Sequence, residues 1–194
     1  MPFASPRLQG IHEHLERAQF LFELAQQASD ANTQYRLMIT AVYSCRAITE
    51  LMLEAAEKQE VKNLKDPDPK NNRKALEMQI EPKLPFYALI ERIRIHDFHR
   101  FGLVPPDPHL KQVMFGGPMQ LRAQKGAAFV SVTSAGPQVS TTGNSQVKFQ
   151  RPLLVQDGEF FDDDSKQYVS IEQVLKIYLA KVSAVISEFE GLLV

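Results

Sequence analysis

The chain carries one short run in which arginines and histidines alternate with other side chains, Arg92-Ile-Arg94-Ile-His96-Asp-Phe-His99-Arg100. An imidazole takes up or releases a proton near neutral pH, and a guanidinium can hold a phosphate through two parallel hydrogen bonds. Together these groups suit cleavage at an RNA phosphate. A general base removes the 2′-hydroxyl proton there, and an arginine stabilises the charge that builds on the phosphate oxygens. The run therefore supplies the candidate catalytic residues.

Helical geometry divides these residues between two sides. Each residue of a helix advances by about 100°, so Arg92, His96 and His99 fall within one narrow sector, whereas Arg94 projects from a different side. The two arginines cannot both serve one site if the helix is regular. We therefore expect either Arg94 or Arg92 to bind the phosphate, with His99 as general base or acid and His96 as a supporting donor.

The first half of the chain is predicted to form an antiparallel pair of helices. Apolar residues repeat at intervals of three and four over residues 8–28, which is typical of one buried helical face. Cap-forming residues at positions 29–33 then precede a second helix that runs to about Lys58. A connection this short makes consecutive helices antiparallel neighbours.

The next region is predicted to be a broken helix. Residues 62–72 are polar and contain two prolines, which indicates a loop, and a short helix is expected at 72–79. Pro85 suits the first position of a further helix that ends near Phe101, ahead of Gly102. The Arg and His run lies at the end of this longer segment.

Beyond residue 111 the pattern changes to short β-type runs at 129–132, 146–149 and 152–155, separated by turn residues. Ser170 and Gln173 then form a capping box for a last helix that continues to residue 192. The sequence therefore predicts a mainly α fold, a four-to-five-helix up-and-down bundle. A small antiparallel β insertion (about 111–169) is expected before the last helix, and residues 1–194 form a single domain.

Composition excludes several classes of protein. A formal net charge of −1 and a pI near 6.5 argue against a broad electropositive face for duplex DNA. No apolar run approaches the roughly 20 residues that cross a bilayer, and the first residues lack a signal-peptide pattern. The single Cys45, in an apolar segment, is expected to be a core residue and indicates a reducing cytoplasm. We predict no cofactor.

With this order of elements, the sequence resembles the HEPN superfamily of helical-bundle proteins, which includes RNA-cleaving toxins and defence effectors. The hallmark of that family is an arginine followed, after four to six residues, by a histidine. Arg94 to His99 matches the four-residue spacing and Arg92 to His99 the six-residue one. The resemblance covers residues 8–104 and 170–193, and Ile95 follows Arg94 where family members often carry Asn, Asp or His.

The resemblance implies metal-independent endoribonuclease activity. In the family, each bundle contributes one Arg and His set, and a dimer brings two sets together across a shared cleft. It therefore also implies a homodimer, RNA as substrate and, for a toxin, an antitoxin protein as partner.

Two other interpretations remain open. Arginines and histidines near a helix C-terminus also cap its free carbonyl groups, so the bundle can be a non-catalytic one that binds a protein partner or a small anionic ligand. Alternatively, His96 and His99 can bind a metal with a residue of the first helix, namely His12, His14 or Glu16. Glu50 and Glu54 of the second helix can face the bundle interior, but the pattern around them is compatible with an exposed face, and we assign them no catalytic role.

Overall fold

The computed structural model describes residues 6–96 and 159–193, apart from the side chains of residues 95 and 96. Between these two ranges it describes the backbone of six strands, at 113–115, 119–122, 128–133, 136–141, 146–149 and 153–156.

A bundle of α-helices makes up most of the described chain. Its helices are α1 (Pro6–Gln27), α2 (Ala31–Glu57), α3 (Pro69–Ile80), α4 (Tyr87–His96) and α5 (Ile171–Leu192). The central helix is α2, which contacts the other four. The predicted mainly α bundle, with a small antiparallel β insertion before its last helix, is confirmed. No helix within the described ranges is long and apolar enough to cross a membrane.

The helix starts at α2 and α5 follow the predicted caps. The Asp30 carboxylate accepts a hydrogen bond of 2.8 Å from the Thr33 backbone N–H, which satisfies one of the free donors at the start of α2. At α5 the Ser170 hydroxyl accepts from the Gln173 backbone N–H, and the Gln173 side chain accepts from the Ser170 backbone.

The starts of α3 and α4 were predicted wrongly. Helix α3 begins at Pro69, within the expected loop, because Asp68 caps it and a proline in the first turn needs no backbone N–H. Helix α4 begins at Tyr87 rather than at Pro85, because Phe86 has a φ of 61° and this left-handed conformation interrupts helical geometry. A single 3-10 turn, Glu81–Lys83, precedes it.

The apolar face of α2 packs against α1, α4 and α5. Ile48, Met52, Tyr178 and Phe189 are among the largest fully buried side chains. Cys45 is also fully buried, and burial raises the pKa of its thiol far above the ordinary value. The expectation that Cys45 is a core residue is therefore confirmed.

The β insertion consists of nested antiparallel pairs. Its strands are β1 (Val113–Phe115), β2 (Met119–Arg122), β3 (Ala128–Thr133), β4 (Gly136–Thr141), β5 (Gln146–Phe149), β6 (Leu153–Gln156), β7 (Glu159–Asp162) and β8 (Gln167–Val169). Strand β3 pairs with β4, β2 with β5, and β1 with β6. Strands β7 and β8 extend the outermost pair into a four-stranded sheet with the order β1-β6-β7-β8. The first and last strands of the nested pairs, β1 and β6, are thus neighbours.

Candidate functional site

Arg92 is tied to the β insertion. Its Nη1 donates a hydrogen bond of 2.8 Å to Oδ2 of Asp163, just after β7. Its Nη2 lies 3.5 Å from the carbonyl oxygen of Phe161. Only 13% of the Arg92 side chain is exposed. Arg92 therefore ties α4 to the turn between β7 and β8.

Arg94 lies on another side of α4. It lines a cavity of about 270 Å³ between α1, α2 and α4. No hydrogen bond or ion pair joins Arg94 to another residue of the described ranges. As expected, Arg92 and Arg94 project from different sides of the helix. Of the two, Arg94 is the one whose guanidinium forms no hydrogen bond with a described residue.

The two histidines of the motif are described only in part. His96 is the last described residue of α4, and its side chain is not among those described. His99 and Asp97 lie outside the described residues altogether. The roles assigned to His96 and His99 therefore stay predictions.

One face of α2 forms the long wall of the cavity. The residues of this face recur at intervals of three or four, so they lie along one side of the helix over about 16 Å at a rise of ~1.5 Å per residue. Tyr43 is at one end of the wall and the exposed Glu54 at the other. The complete lining is His14 from α1, then Tyr43, Arg46, Ala47, Glu50, Leu51 and Glu54 from α2, and Arg94 from α4.

Arg46 is a buried cation at the side of this cavity. Its Nη2 lies 2.7 Å from Oε2 of Glu91 on α4 and also pairs with Glu50 one turn further along α2. Its Nη1 donates a hydrogen bond of 2.9 Å to the hydroxyl of Thr49. The guanidinium carbon lies 5.9 Å from the ring centroid of Tyr87, within cation-π range. Arg46 thus holds α4 against α2.

Glu50 forms ion pairs with two arginines, Arg46 and Arg73. One carboxylate oxygen pairs with Arg46, and the other accepts a hydrogen bond of 2.7 Å from Nη2 of Arg73 on α3. Burial by itself raises the pKa of Glu50. The hydrogen bond from Arg73 and the positive charges of Arg46, Arg73 and Arg94 outweigh that effect, and the net pKa is lowered. Glu50 is therefore ionised at neutral pH.

Sequence reasoning missed this cluster. We interpreted Glu50 as compatible with an exposed face and did not single out Arg46. A signal was present, because an arginine and a glutamate four residues apart stand inside a mainly apolar stretch of α2. A charge placed among core positions is rarely buried unless it is paired.

His14 brings an imidazole to the same cavity. Burial, followed by the positive charge of Arg17, lowers its pKa below the ordinary value, against the opposing effect of Glu13. Its Nδ1 is buried and has no hydrogen-bond partner in the described part of the chain, so only Nε2 remains to meet a ligand. A neutral imidazole can accept a proton, and the cavity therefore combines a proton acceptor with a guanidinium.

The described side chains do not provide a set of ligands for a metal ion. Within the described ranges, no group of three or more His, Cys, Asp or Glu residues could hold a metal ion. His12 is instead paired with Glu190 of α5, with 2.6 Å between Nε2 and Oε1. The version of the metal hypothesis that uses the side chains of His96 and His99 falls outside the described part of the chain.

Comparisons of the chain with protein-family models, with curated proteins and with solved structures gave no match.

Proposed function

We propose that this protein is a metal-independent endoribonuclease of the HEPN type, which binds RNA phosphate through Arg94. The observation that carries the proposal is that Arg94, with no described partner, lines the same cavity as the imidazole of His14. Arg92 is engaged by Asp163, which favours Arg94 as the phosphate ligand. The rest of the support is the resemblance to the HEPN superfamily, in which an arginine, four to six further residues and then a histidine stand towards the end of the third helical region.

The proposed chemistry is an internal transesterification. A general base takes the proton of the 2′-hydroxyl, and the 2′-oxygen attacks the adjacent phosphorus. The bond from phosphorus to the 5′-oxygen breaks, and an acid protonates that oxygen. The products are a 2′,3′-cyclic phosphate and a 5′-hydroxyl. Arg94 stabilises the negative charge that builds on the non-bridging oxygens.

Two histidines fit the two proton transfers of this reaction. His14 acts as the base, because its lowered pKa keeps it neutral near pH 7. His99 then acts as the acid, and His96 as a supporting donor to the phosphate. The proposal includes the other features that the resemblance implies: a cytoplasmic homodimer whose two sites share a cleft, of toxin or defence type, with an antitoxin partner in the toxin case.

The test is cleavage of fluorescently labelled single-stranded RNA by purified protein in excess EDTA. We expect wild type and Arg92→Ala to cleave, and Arg94→Ala, His99→Ala and His14→Gln to lose most activity. Removing one group that stabilises transition-state charge typically lowers the rate by about 100- to 1,000-fold. The proposal should be dropped if wild type leaves RNA intact at high enzyme concentration, or if His99→Ala cleaves as fast as wild type.

A non-catalytic function uses the same cavity. It is favoured by the mixed polar and apolar lining and by the guanidinium of Arg94, which no described residue engages, because together they suit a small anionic ligand. Saturable binding of RNA or a nucleotide without cleavage, weakened in Arg94→Ala, is the result expected of this alternative. Stoichiometric Zn, Mn or Fe in protein purified without a histidine tag is the result expected of the metal alternative.

A further inference from the structure

Glu50 stands where charged side chains from three helices meet. Arg46 of its own helix, Arg73 of α3 and Arg94 of α4 all act on its carboxylate. The first two form hydrogen bonds, one to each oxygen. Arg94 lines the same cavity as Glu50 and contributes through its charge, without a hydrogen bond to Glu50 among the described contacts.

This arrangement determines whether Glu50 uses the N–H groups of Arg94. A guanidinium that forms a bidentate pair with a carboxylate uses the same N–H groups that a phosphate needs. Each oxygen of Glu50 already accepts a hydrogen bond from one arginine, and none from Arg94 is among the described contacts. Glu50 therefore attracts Arg94 through its charge without taking up those N–H groups. Coulombic attraction falls slowly with distance and is stronger at a partly buried site than in water.

The backbone that carries Arg94 is held by the same network. Glu91 lies one turn before Arg94 on α4, and residues three apart share a helix face. The 2.7 Å contact between Glu91 and Arg46 therefore fixes the face of α4 that carries Arg94 towards the cavity. Arg46 in turn pairs with Glu50.

We propose that Glu50 is a positioning residue for Arg94: it orders the phosphate-binding guanidinium over the cavity without engaging its N–H donors. The inference rests on the proposed function for what Arg94 does, but the ordering of Arg94 is a property of the protein without RNA. Glu50 itself touches no reacting atom.

The first experiment needs no RNA. Heteronuclear NOEs of the arginine Nε–H groups, with Arg94 assigned from the Arg94→Lys spectrum, report how ordered that side chain is. We expect an ordered Arg94 in wild type and a clearly lower NOE in Glu50→Gln, which keeps hydrogen-bonding atoms but removes the charge. Glu57→Gln is the matched control, because Glu57 pairs with Arg73 at 3.3 Å but does not line the cavity. Equal NOEs of Arg94 in wild type and Glu50→Gln would overturn the proposal.

The second experiment separates positioning from a merely structural role. Misplacing a catalytic group by about 1 Å can lower the rate by roughly 100-fold. In Glu50→Gln we expect kcat to fall at least 10-fold and KM to fall as well, because a negative charge near the phosphate has gone and Arg46 and Arg73 can hold phosphate unproductively. A structural defect shrinks the active fraction and leaves KM unchanged. A rise of KM with unchanged kcat contradicts the proposal.

A second variant covers the case in which Glu50→Gln fails to fold. The double variant Glu50→Gln/Arg73→Gln removes the charge of Glu50 together with that of its α3 partner, so fewer buried charges are left unpaired. The same drop in the Arg94 NOE is then expected. If wild type cleaves no RNA but the NOE falls in Glu50→Gln, the ribonuclease proposal fails and the positioning inference stands. If wild type cleaves RNA and the NOE is unchanged, the positioning inference fails and the ribonuclease proposal stands.

Discussion

Helix α4 presents two arginines, only two residues apart, to two different environments. On the side of the β insertion, Arg92 is nearly buried and is hydrogen-bonded to Asp163. On the side of α1 and α2, Arg94 borders a cavity and has no hydrogen bond or ion pair with a described residue. The same residue type thus links two elements on one face of α4 and lines a cavity on the other. Residue type and spacing alone do not distinguish the two roles, whereas the partners do.

The largest expected effect separates the two arginines in catalysis. Arg94→Ala should lower the rate of RNA cleavage in EDTA by about 100- to 1,000-fold, because a group that stabilises charge in the transition state is lost. Arg92→Ala should stay within a few-fold of wild type once its folded fraction is taken into account. Initial rates at saturating RNA measure both. Equal losses in the two variants contradict the division of roles.

Stability should show the reverse order. Arg92→Met removes a hydrogen bond between charged groups and leaves a partly buried Asp163 with one contact fewer, which should cost about 1–3 kcal/mol. Arg94→Met should change stability by no more than about 0.5 kcal/mol, because Arg94 has no hydrogen bond or ion pair with a described residue. Urea unfolding followed by circular dichroism measures both values. A larger loss in Arg94→Met reverses the comparison.

The salt dependence of RNA binding should sharpen the contrast. A phosphate contact releases counterions, so each contact contributes a little less than one unit to the slope of log affinity against log salt concentration, about 0.7 for a single strand. Arg94→Ala should reduce the slope for a non-cleavable 2′-O-methyl RNA by about that amount, and Arg92→Ala should leave it unchanged. Fluorescence anisotropy over a salt series gives the slopes. A reduced slope in Arg92→Ala indicates that its tie to Asp163 opens when RNA binds.

The smallest expected effect concerns pH. The pKa of His14 is lowered from its ordinary 6.5, mainly by burial, so between the two values the unfolded chain binds more protons than the folded protein. Its contribution to stability is therefore fully present above about pH 6.5 and is lost as the pH falls below it. His14→Gln should show a shallower loss of stability than wild type between pH 7.5 and 5.5. Parallel curves in urea unfolding at these pH values argue against the assignment.

Sequence reasoning succeeded where the signals are local. The periodic apolar residues and the caps at Asp30 and Ser170 predicted α1, α2 and α5, because both features act within one or two helical turns. It failed where the same residue type has two uses. Pro69 starts a helix, whereas Pro85 stands before Phe86, whose left-handed backbone delays α4 by two residues.

The remaining elements depend on contacts between distant parts of the chain. Strands β1, β2, β4, β7 and β8 were not predicted, because most are only three or four residues long and are defined by their partners rather than by alternation. Within the candidate site, Arg94 was predicted from its motif. The cluster of Arg46, Glu50 and Arg73 was not, since it forms only when α2, α3 and α4 pack together. His14 was considered only as a metal ligand.

The pairing of β1 with β6 bears on how the length of the segment between them can vary. Val113 of β1 lies opposite Val155 of β6, so the two ends of the intervening excursion are neighbours. Strand β7 then follows β6 with Gln156 opposite Glu159, and β8 leads into α5. Residues inserted or deleted within the excursion need not change the separation of its ends, and such sites tolerate domain insertion best. We therefore expect insertions between β1 and β6 to leave the helices, and Arg94 with them, in their positions.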